Sequence, residues 1–165
     1  RRGTISVFNG PKPDILVLDS QQEEMELVSE WLLERLDEGL EAHEIGIFVR
    51  SAVEIARARA AIEEAGLAYV MLDEDMTTTA GNLSLCTMHL AKGLEFRGVV
   101  VMACDDEVIP LQERIETVTD DSDLEEVYNT ERHLLYVACT RARDHLLVTG
   151  VDPASEFVDD LMMLR

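Results

Sequence analysis

Short aliphatic runs alternate along the chain with longer segments in which apolar residues recur every three or four positions. The first pattern is typical of buried parallel strands, and the second of helices with one face against a core. Strands are predicted at 15–19, 45–50, 68–72, 83–87, 99–103 and 145–150, and helices at about 22–38, 51–65 and 125–140. A short terminal helix is predicted after Ser155. This alternation predicts an α/β fold in which a mostly parallel sheet lies between two layers of helices.

Glycine and capping residues indicate where the predicted helices begin and end. Gly39 and Gly66 follow the first two helices, in the place where a left-handed residue commonly ends a helix. Ser51 and Glu54 have the spacing of a capping box, which predicts that the second helix opens at Ser51. Residues 105–124 are acidic and weakly periodic, so they are predicted to form a solvated loop.

Length and charge limit what the protein can be. The chain has 165 residues, 47% of them hydrophobic, and no repeat or linker-like segment, which indicates one folded domain. It contains 34 Asp and Glu but 14 Lys and Arg, for a formal net charge of −20. This charge repels phosphate backbones and excludes a general basic nucleic-acid-binding domain. Lys12 and Lys92 are the only lysines, so most cations are guanidinium groups, which suit bidentate contacts with phosphate or carboxylate.

The predicted core includes Trp31 and all three cysteines. Cys86, Cys104 and Cys139 lie in apolar runs without the spacing of metal ligands, so we expect buried, reduced thiols and no metal site. No apolar segment approaches the roughly 20 residues of a membrane-spanning helix, and no signal peptide is recognisable. We therefore expect a cytoplasmic protein.

Candidate chemistry follows the predicted strands, because ligands of open α/β sheets bind beyond the carboxyl ends of the strands. Arg50 ends the second strand beside a helix N-terminus, where an anion is favoured. Segment 87–95 combines a hydroxyl, an imidazole, a lysine, a glycine and a carboxylate. Asp105 and Asp106 either hold Mg²⁺ or line a solvated loop. The helical segment 131–143 ends in two arginines, which either serve chemistry or offset the helix dipole.

Two of these segments resemble motifs of one protein family. Thr87-Met-His-Leu-Ala-Lys-Gly-Leu-Glu-Phe96 is similar to motif V of the UvrD/Rep-type superfamily 1 DNA helicases. Glu131-Arg-His-Leu-Leu-Tyr-Val-Ala-Cys-Thr-Arg-Ala-Arg143 is similar to their motif VI. Residues 45–51, with 65–70 after the intervening helix, resemble the motif IV region. The resemblance implies that residues 1–165 form one RecA-like domain, the second and C-terminal motor domain of that family.

The resemblance also implies a partner domain. In the family, ATP lies between two RecA-like domains, and no G-x-x-x-x-G-K-[ST] phosphate loop occurs in this chain. ATP and Mg²⁺ are therefore expected to be held mainly by an N-terminal RecA-like domain that is absent from this chain. The whole protein is expected to be an ATP-dependent helicase or translocase that moves 3′ to 5′ on single-stranded DNA, and the isolated chain to be inactive.

The resemblance implies a catalytic role for two arginines. Arg141 corresponds to the motif VI arginine and Arg50 to the motif IV arginine. In the family both reach the γ-phosphate from across the cleft, so both resemble arginine fingers. Such a guanidinium stabilises the charge that spreads over the γ-phosphate oxygens during hydrolysis.

The motif V turn acquires two kinds of contact from the resemblance. Glu95 corresponds to the carboxylate that contacts the nucleotide ribose, with Lys92 and Gly93 in the same nucleotide-binding turn. Thr87 and His89 correspond to positions near the bound single strand. The turn is therefore expected to link the nucleotide to the grip on DNA.

The sequence departs from the family's usual pattern in places, and two other interpretations of the chain remain open. Val49 stands where many relatives carry an aromatic residue that stacks on adenine. About ten residues join Leu72 to Leu83, where Rep-like relatives insert a large subdomain, so the chain resembles a compact variant. One alternative is a binding or regulatory module of the same fold that recruits a basic protein through the acidic loop 105–124. The other is a receiver-like domain that is phosphorylated on Asp105 or Asp106.

Overall fold

Parallel strands form the centre of the molecule. The structure is a computed structural model that describes residues 10–75 and 77–163. Within these residues the strands are β1 (Asp14–Leu18), β2 (Ile45–Val49), β3 (Tyr69–Met71), β4 (Leu83–Thr87), β5 (Phe96–Val101) and β6 (Ala142–Val151). Their order across the sheet is β1-β6-β5-β2-β4-β3, and every neighbouring pair is parallel. The predicted α/β fold with a parallel sheet is confirmed.

Helices cover both faces of this sheet. The described helices are α1 (Gln21–Asp37), α2 (Ile55–Glu64), α3 (Gln112–Glu116), α4 (Asp121–Cys139) and α5 (Glu156–Met163). On one face α1 and α2 pack together over a core that contains Trp31 and Ile47. On the other face α4 and α5 cover a core that contains Phe48 and Phe157. Ile47 and Phe48 enter different cores because successive side chains of a strand point to opposite faces. The predicted three layers follow from this alternation.

Three elements begin at least three residues earlier than predicted. β5 starts at Phe96, because its N–H donates to the carbonyl of Arg141 (2.9 Å) and extends the pairing with β6, which also begins early. α4 starts at Asp121, and the side chain of Asp120 caps it by accepting from the N–H of Asp123 (2.8 Å). The carboxylates that favoured a loop in the sequence thus stabilise the positive end of the helix dipole.

Two predictions about loops and caps were wrong. The segment 105–124 is partly helical, since it contains α3 and the first turn of α4. Ser51 makes no capping bond through its side chain, and a single 3-10 turn (Ala52–Glu54) separates it from α2. That turn is closed by a backbone hydrogen bond from the N–H of Glu54 to the carbonyl of Ser51 (3.0 Å), so the serine hydroxyl is not needed there.

Other local predictions are confirmed. Gly39 and Gly66 have φ values of +111° and +73°, the left-handed conformation expected where α1 and α2 end. Cys86, Cys104 and Cys139 are buried and unpaired. Burial raises the pKa of the Cys86 and Cys139 thiols to about 12, so neither is a reactive thiolate at neutral pH.

The sheet has two edges that position the candidate residues. We call the edge where the strands end the carboxyl edge, and the edge where they begin the amino edge. β2 and β4 end side by side at the carboxyl edge, and β5 and β6 begin side by side at the amino edge. Residues 72–82 alone join β3 to β4, so the predicted short connection is confirmed. None of the described helices is both long enough and apolar enough to cross a membrane.

Candidate functional site

The segment after β4 brings two of the predicted residues together. Thr87 is the last residue of β4 and is buried, whereas His89 is exposed in the 3-10 turn Met88–Leu90 that follows. The hydroxyl of Thr87 and Nδ1 of His89 share a hydrogen bond of 2.7 Å. Met88 is buried between them and anchors the turn in the core. The imidazole is therefore held at the carboxyl edge by one of its ring nitrogens while its ring remains accessible.

An acidic groove lies beside His89. It has a volume of about 430 Å³ and is lined by Asp73, Glu74, Asp75, His89 and Leu90. The three carboxylates are exposed, and Asp73 accepts a hydrogen bond from the N–H of Asp75 (2.9 Å), which orders the loop. A phosphate that approaches His89 over these residues meets like charge. An anionic strand is therefore favoured only on the side of His89 away from 73–75.

The remaining motif V residues form an exposed turn that leads from the carboxyl edge to the amino edge. Lys92, Gly93 and Glu95 are exposed, whereas Ala91 and Leu94 are buried and hold the turn against the domain. Gly93 has a φ of +90°, a backbone conformation that residues other than glycine rarely adopt. The turn thus connects the end of β4, where His89 lies, to the start of β5, where Glu95 lies.

Arg141 lies at the amino edge, between the end of α4 and the start of β6. Its Nε donates to the carbonyl of Val137 (3.0 Å), and one terminal nitrogen donates to the carbonyl of Leu94 (3.2 Å). The other terminal nitrogen donates to the hydroxyl of Thr140 (3.1 Å). These acceptors are uncharged, so they orient the guanidinium without neutralising it. The bond to Leu94 places Arg141 beside Glu95, and the structure therefore brings these two predicted residues together.

Arg50 has a different environment at the carboxyl edge. Its Nε and one terminal nitrogen donate to the two carboxylate oxygens of Glu131 at 2.8 and 2.7 Å. The side chains of Arg50 and Glu131 are 10% and 0% exposed, so this bidentate pair is buried. Fixed pairs of this geometry are the strongest ion pairs that arginine forms. Arg50 is therefore a buried partner of Glu131 in this structure, not an arginine free to meet a ligand.

Glu131 has further partners from the segment that follows β5. One oxygen accepts from the N–H of Leu111 (2.8 Å), and the other accepts from Arg114 (2.7 Å). Burial by itself raises the pKa of the Glu131 carboxyl, but the hydrogen bonds from Arg50 and Leu111 outweigh burial and hold the pKa below its ordinary value. Glu131 is consequently a charged, fully satisfied group at the centre of this cluster.

The two predicted arginine fingers lie at opposite edges of the sheet. Arg50 follows the end of β2, whereas Arg141 precedes the start of β6, and both strands pair with β5. In the register of β5 the two backbones are about eight residues apart, or roughly 25 Å at the rise of a strand. The structure does not bring them together, and a shared contact with one γ-phosphate is not supported by this geometry.

A second buried cluster accounts for the acidic residues after β5. Both oxygens of Asp105 accept from Arg57 (2.6 and 3.3 Å), and one also accepts from the N–H of Val151 (2.8 Å). Arg57 donates as well to Glu24 (2.6 Å), which is 1% exposed. Among the described residues no group of three or more His, Cys, Asp or Glu could hold a metal ion. Asp105 is thus a structural acceptor, and its geometry does not favour a receiver-like phosphorylation site.

Several residues that organise these clusters were not identified from the sequence. Glu24 reads as an acidic residue in the first turn of a helix, and Arg57 as a polar position of α2, yet both are largely buried. Glu131 lies within the motif VI segment but carried no predicted role. Helical spacing placed Glu131 near the core face of α4, which is the one signal that could have identified it. Val49, predicted to replace a stacking aromatic residue, is fully buried and so is not available for stacking.

Known proteins resemble the chain in sequence. The sequence profile of the UvrD-like helicase C-terminal domain matches residues 62–152. The ATP-dependent DNA helicase PcrA of Staphylococcus epidermidis is 39% identical over 81 residues, which cover 49% of this chain and 10% of that protein. YjcD of Bacillus subtilis, which bears the name of an ATP-dependent DNA helicase, is 34% identical over 125 residues, covering 73% of this chain and 16% of that protein. The chain therefore spans a small part of the length of the curated relatives it matches.

A solved structure resembles the chain in fold. The crystal structure of the C-terminal domain of a possible DNA helicase from Lactobacillus plantarum WCFS1 has a TM-score of 0.66 at 21% identity, over 92% of this chain and 83% of that one. This similarity shows a shared fold over most of both chains. Since the family profile also covers more than half of the chain, with the segments of His89 and Arg141, the chain belongs to the UvrD-like helicase C-terminal domain family.

Proposed function

We propose that this domain is the second motor domain of an ATP-dependent translocase or helicase that acts on single-stranded DNA. One observation carries the proposal: Arg141 is oriented beside Glu95 by three uncharged acceptors, which leaves its positive charge for an anion. The chain contains no phosphate loop of its own, and we therefore assign the anion to a nucleotide bound by another domain. The names of PcrA and YjcD as ATP-dependent DNA helicases support this assignment.

Arg141 then acts as an arginine finger on ATP bound by the N-terminal RecA-like domain. Water attacks the γ-phosphorus, the bond to the leaving β-phosphate oxygen breaks, and negative charge develops on both groups. An inserted guanidinium stabilises this charge and accelerates hydrolysis by about 10³- to 10⁵-fold in related chemistry. Glu95 would accept a hydrogen bond from the ribose hydroxyls beside Lys92 and Gly93. The described residues offer no ligand set for Mg²⁺, so we assign the metal to the N-terminal domain.

Thr87 and His89 serve the other side of the same turn. We assign the exposed imidazole and the threonine that orients it to contacts with single-stranded DNA at the carboxyl edge. Segment 88–95 joins that contact to Glu95 and to the backbone acceptor of Arg141. A shift of the turn on hydrolysis would therefore change the grip on DNA, and repeated cycles would move the protein 3′ to 5′.

Arg50 is not assigned to the γ-phosphate in this proposal. It would have to leave a buried bidentate pair with Glu131, and the fully buried carboxylate would then keep Arg114 alone as its cationic partner. A direct contact between Arg50 and the nucleotide stays a prediction. The geometry favours Arg141 as the first arginine to test.

The test compares single-stranded-DNA-stimulated ATPase of the full-length protein with its Arg141→Ala and Arg143→Ala variants. Arg143 is the matched control, because it lies two residues away, is exposed and pairs with Asp144 at 3.5 Å. We expect Arg141→Ala to lose about 10³-fold or more in kcat with an unchanged Tm, and Arg143→Ala to stay within about twofold. The isolated chain should be inactive, and the full-length protein should displace streptavidin from the 5′ end of a single strand.

Two outcomes would contradict the proposal. Near-normal turnover in a folded Arg141→Ala variant would remove the arginine finger. A full-length protein that does not hydrolyse ATP would favour a binding module, with the exposed carboxylates of α3 and the start of α4 as the surface for a basic protein partner.

A further inference from the structure

Glu131 joins three segments that are distant in sequence. Its carboxylate accepts two hydrogen bonds from Arg50 at the end of β2, one from the Leu111 N–H and one from Arg114, at 2.7–2.8 Å. It is fully buried on α4, so no water competes for these oxygens. The end of β2 and the segment around α3 are thereby tied to one point on this helix.

Arg141 lies just beyond the C-terminal end of α4, the helix that contains Glu131. α4 runs from Asp121 at the carboxyl edge to Cys139 at the amino edge, and Arg141 follows its last turn. It packs against the Met88–Leu90 turn and against β5 and β6. An α-helix is stiff over this length, so a displacement of α4 along its axis at Glu131 is transmitted to the backbone of Arg141 about ten residues, or roughly 15 Å, away.

We infer that Glu131 is a positioning residue that sets the place of Arg141, because its bidentate pair with Arg50 pins α4 to the end of β2. Arg50 contributes to hydrolysis through this pair and not through a phosphate. Loss of the pair leaves α4 free to shift by a fraction of a turn and moves the Arg141 guanidinium away from the γ-phosphate. The inference rests on the proposed function, since it requires Arg141 to be the arginine finger.

The structure offers a matched control for this inference. Glu24 is also almost fully buried and also binds an arginine (2.6 Å), a backbone N–H (3.0 Å) and the hydroxyl of Thr149 (2.8 Å). Unlike Glu131, it lies on α1, and none of these partners belongs to α4. Glu24→Gln and Glu131→Gln therefore each remove one almost fully buried carboxylate that binds an arginine and a backbone N–H, and only the second removes the anchor of α4.

The experiment measures kcat, the KM for ATP and the affinity for an oligo-dT strand in the full-length protein. Glu131→Gln should lower kcat about tenfold, while the KM for ATP and the DNA affinity stay within about twofold. Glu24→Gln should lower Tm to a similar extent but leave kcat within about twofold. Arg50→Lys keeps the charge but loses the bidentate geometry, and it should give an intermediate kcat. Adding Glu131→Gln to Arg141→Ala should cause no further loss.

The outcomes separate this inference from the proposed function. If Arg141→Ala abolishes turnover but Glu131→Gln and Arg50→Lys do not lower kcat, only the positioning role is overturned. An equal loss of kcat in Glu24→Gln would show a general effect of destabilisation and would also overturn it. A loss confined to DNA affinity would place the effect of Glu131 at the carboxyl edge instead. Full turnover in Arg141→Ala would remove the proposed function itself.

Discussion

At the scale of single residues, buried carboxylates organise the domain. Glu24 and Glu131 are the almost fully buried carboxylates of the described chain, and each accepts from an arginine and a backbone N–H. In a chain with a net charge of −20, cationic side chains are few relative to carboxylates. Arg50 and Arg57, which bind these two carboxylates, are themselves largely buried. Arg50 therefore differs from Arg141, because Arg50 is bound to a carboxylate and Arg141 is bound only to uncharged acceptors.

The ion pair at Glu131 predicts a dependence of stability on pH. Because the folded-state pKa of Glu131 lies below the ordinary value of 4.5, the pair stabilises fully above about pH 4.5 and is lost as the pH falls through the folded pKa. Glu131→Gln should therefore cost about 3 kcal/mol of unfolding free energy near pH 7 and progressively less as the pH falls below 4.5. Urea unfolding of this chain over this pH range measures the difference. An equal cost near pH 7 and well below pH 4.5 would show that folding does not lower the pKa of Glu131.

At the scale of elements, the turn after β4 and the helix α4 are two routes between the edges of the sheet. The turn connects His89 to Glu95, and α4 connects Glu131 to Arg141. They meet where Arg141 donates to the carbonyl of Leu94 (3.2 Å). A conformational change at one edge can therefore be transmitted to the other edge through the turn and through α4. The proposed coupling between the nucleotide and DNA requires such a link.

Gly93 allows a specific test of the turn. Its φ of +90° is costly for alanine, and a Cβ there would contact nothing within 4 Å, so the cost is that of the backbone alone. Gly93→Ala should lose about 1 kcal/mol of unfolding free energy and lower the DNA-stimulated ATPase of the full-length protein. Gly66→Ala is the control, since Gly66 has a φ of +73° and equally open space but lies at the end of α2. Both should cost similar stability, and a similar loss of ATPase in both would argue against a role for the turn.

At the scale of the whole molecule, the acidic charge limits how the proposed contact with DNA can form. Asp73, Glu74 and Asp75 border the groove beside His89, so part of the carboxyl edge repels phosphate. The contacts left to the domain are a hydroxyl, an imidazole and backbone groups. Such contacts add little affinity by themselves, and stacking of the bases is expected mainly on the N-terminal domain.

Binding of single-stranded DNA by the isolated chain should therefore be weak. We expect a Kd for an oligo-dT strand above about 10⁻⁵ M near physiological salt, with a shallow dependence on salt because few phosphates are neutralised. In the full-length protein His89→Ala should weaken binding, whereas His133→Ala, at an exposed position of α4, should not. Fluorescence anisotropy measures both. Tight binding by the isolated chain at moderate salt would contradict this account of the surface.

Much of the fold could be predicted because local patterns specify it. The strand β4 and the glycines that end α1 and α2 follow from periodicity and backbone preference. The early start of α4 at Asp121 was missed because consecutive carboxylates are common to solvated loops and to helix N-termini. The turn at Ser51 was missed because capping-box spacing does not distinguish a 3-10 turn from an α-helix.

The amino-acid sequence by itself determined the order of strands and helices, the likeness to motifs V and VI and the candidate residues from Thr87 to Glu95, because these depend on residues that are close together in the chain. The tertiary structure alone decided the partners of the arginines. Arg50 and Glu131 are 81 positions apart in sequence, and Arg57 and Asp105 are 48 apart. Such pairs form only when strands and helices fold against one another. A charged group that is buried in this way is stable only when it has a partner of opposite charge. For that reason Arg50 is a buried partner of Glu131, whereas Arg141 is held by three uncharged acceptors.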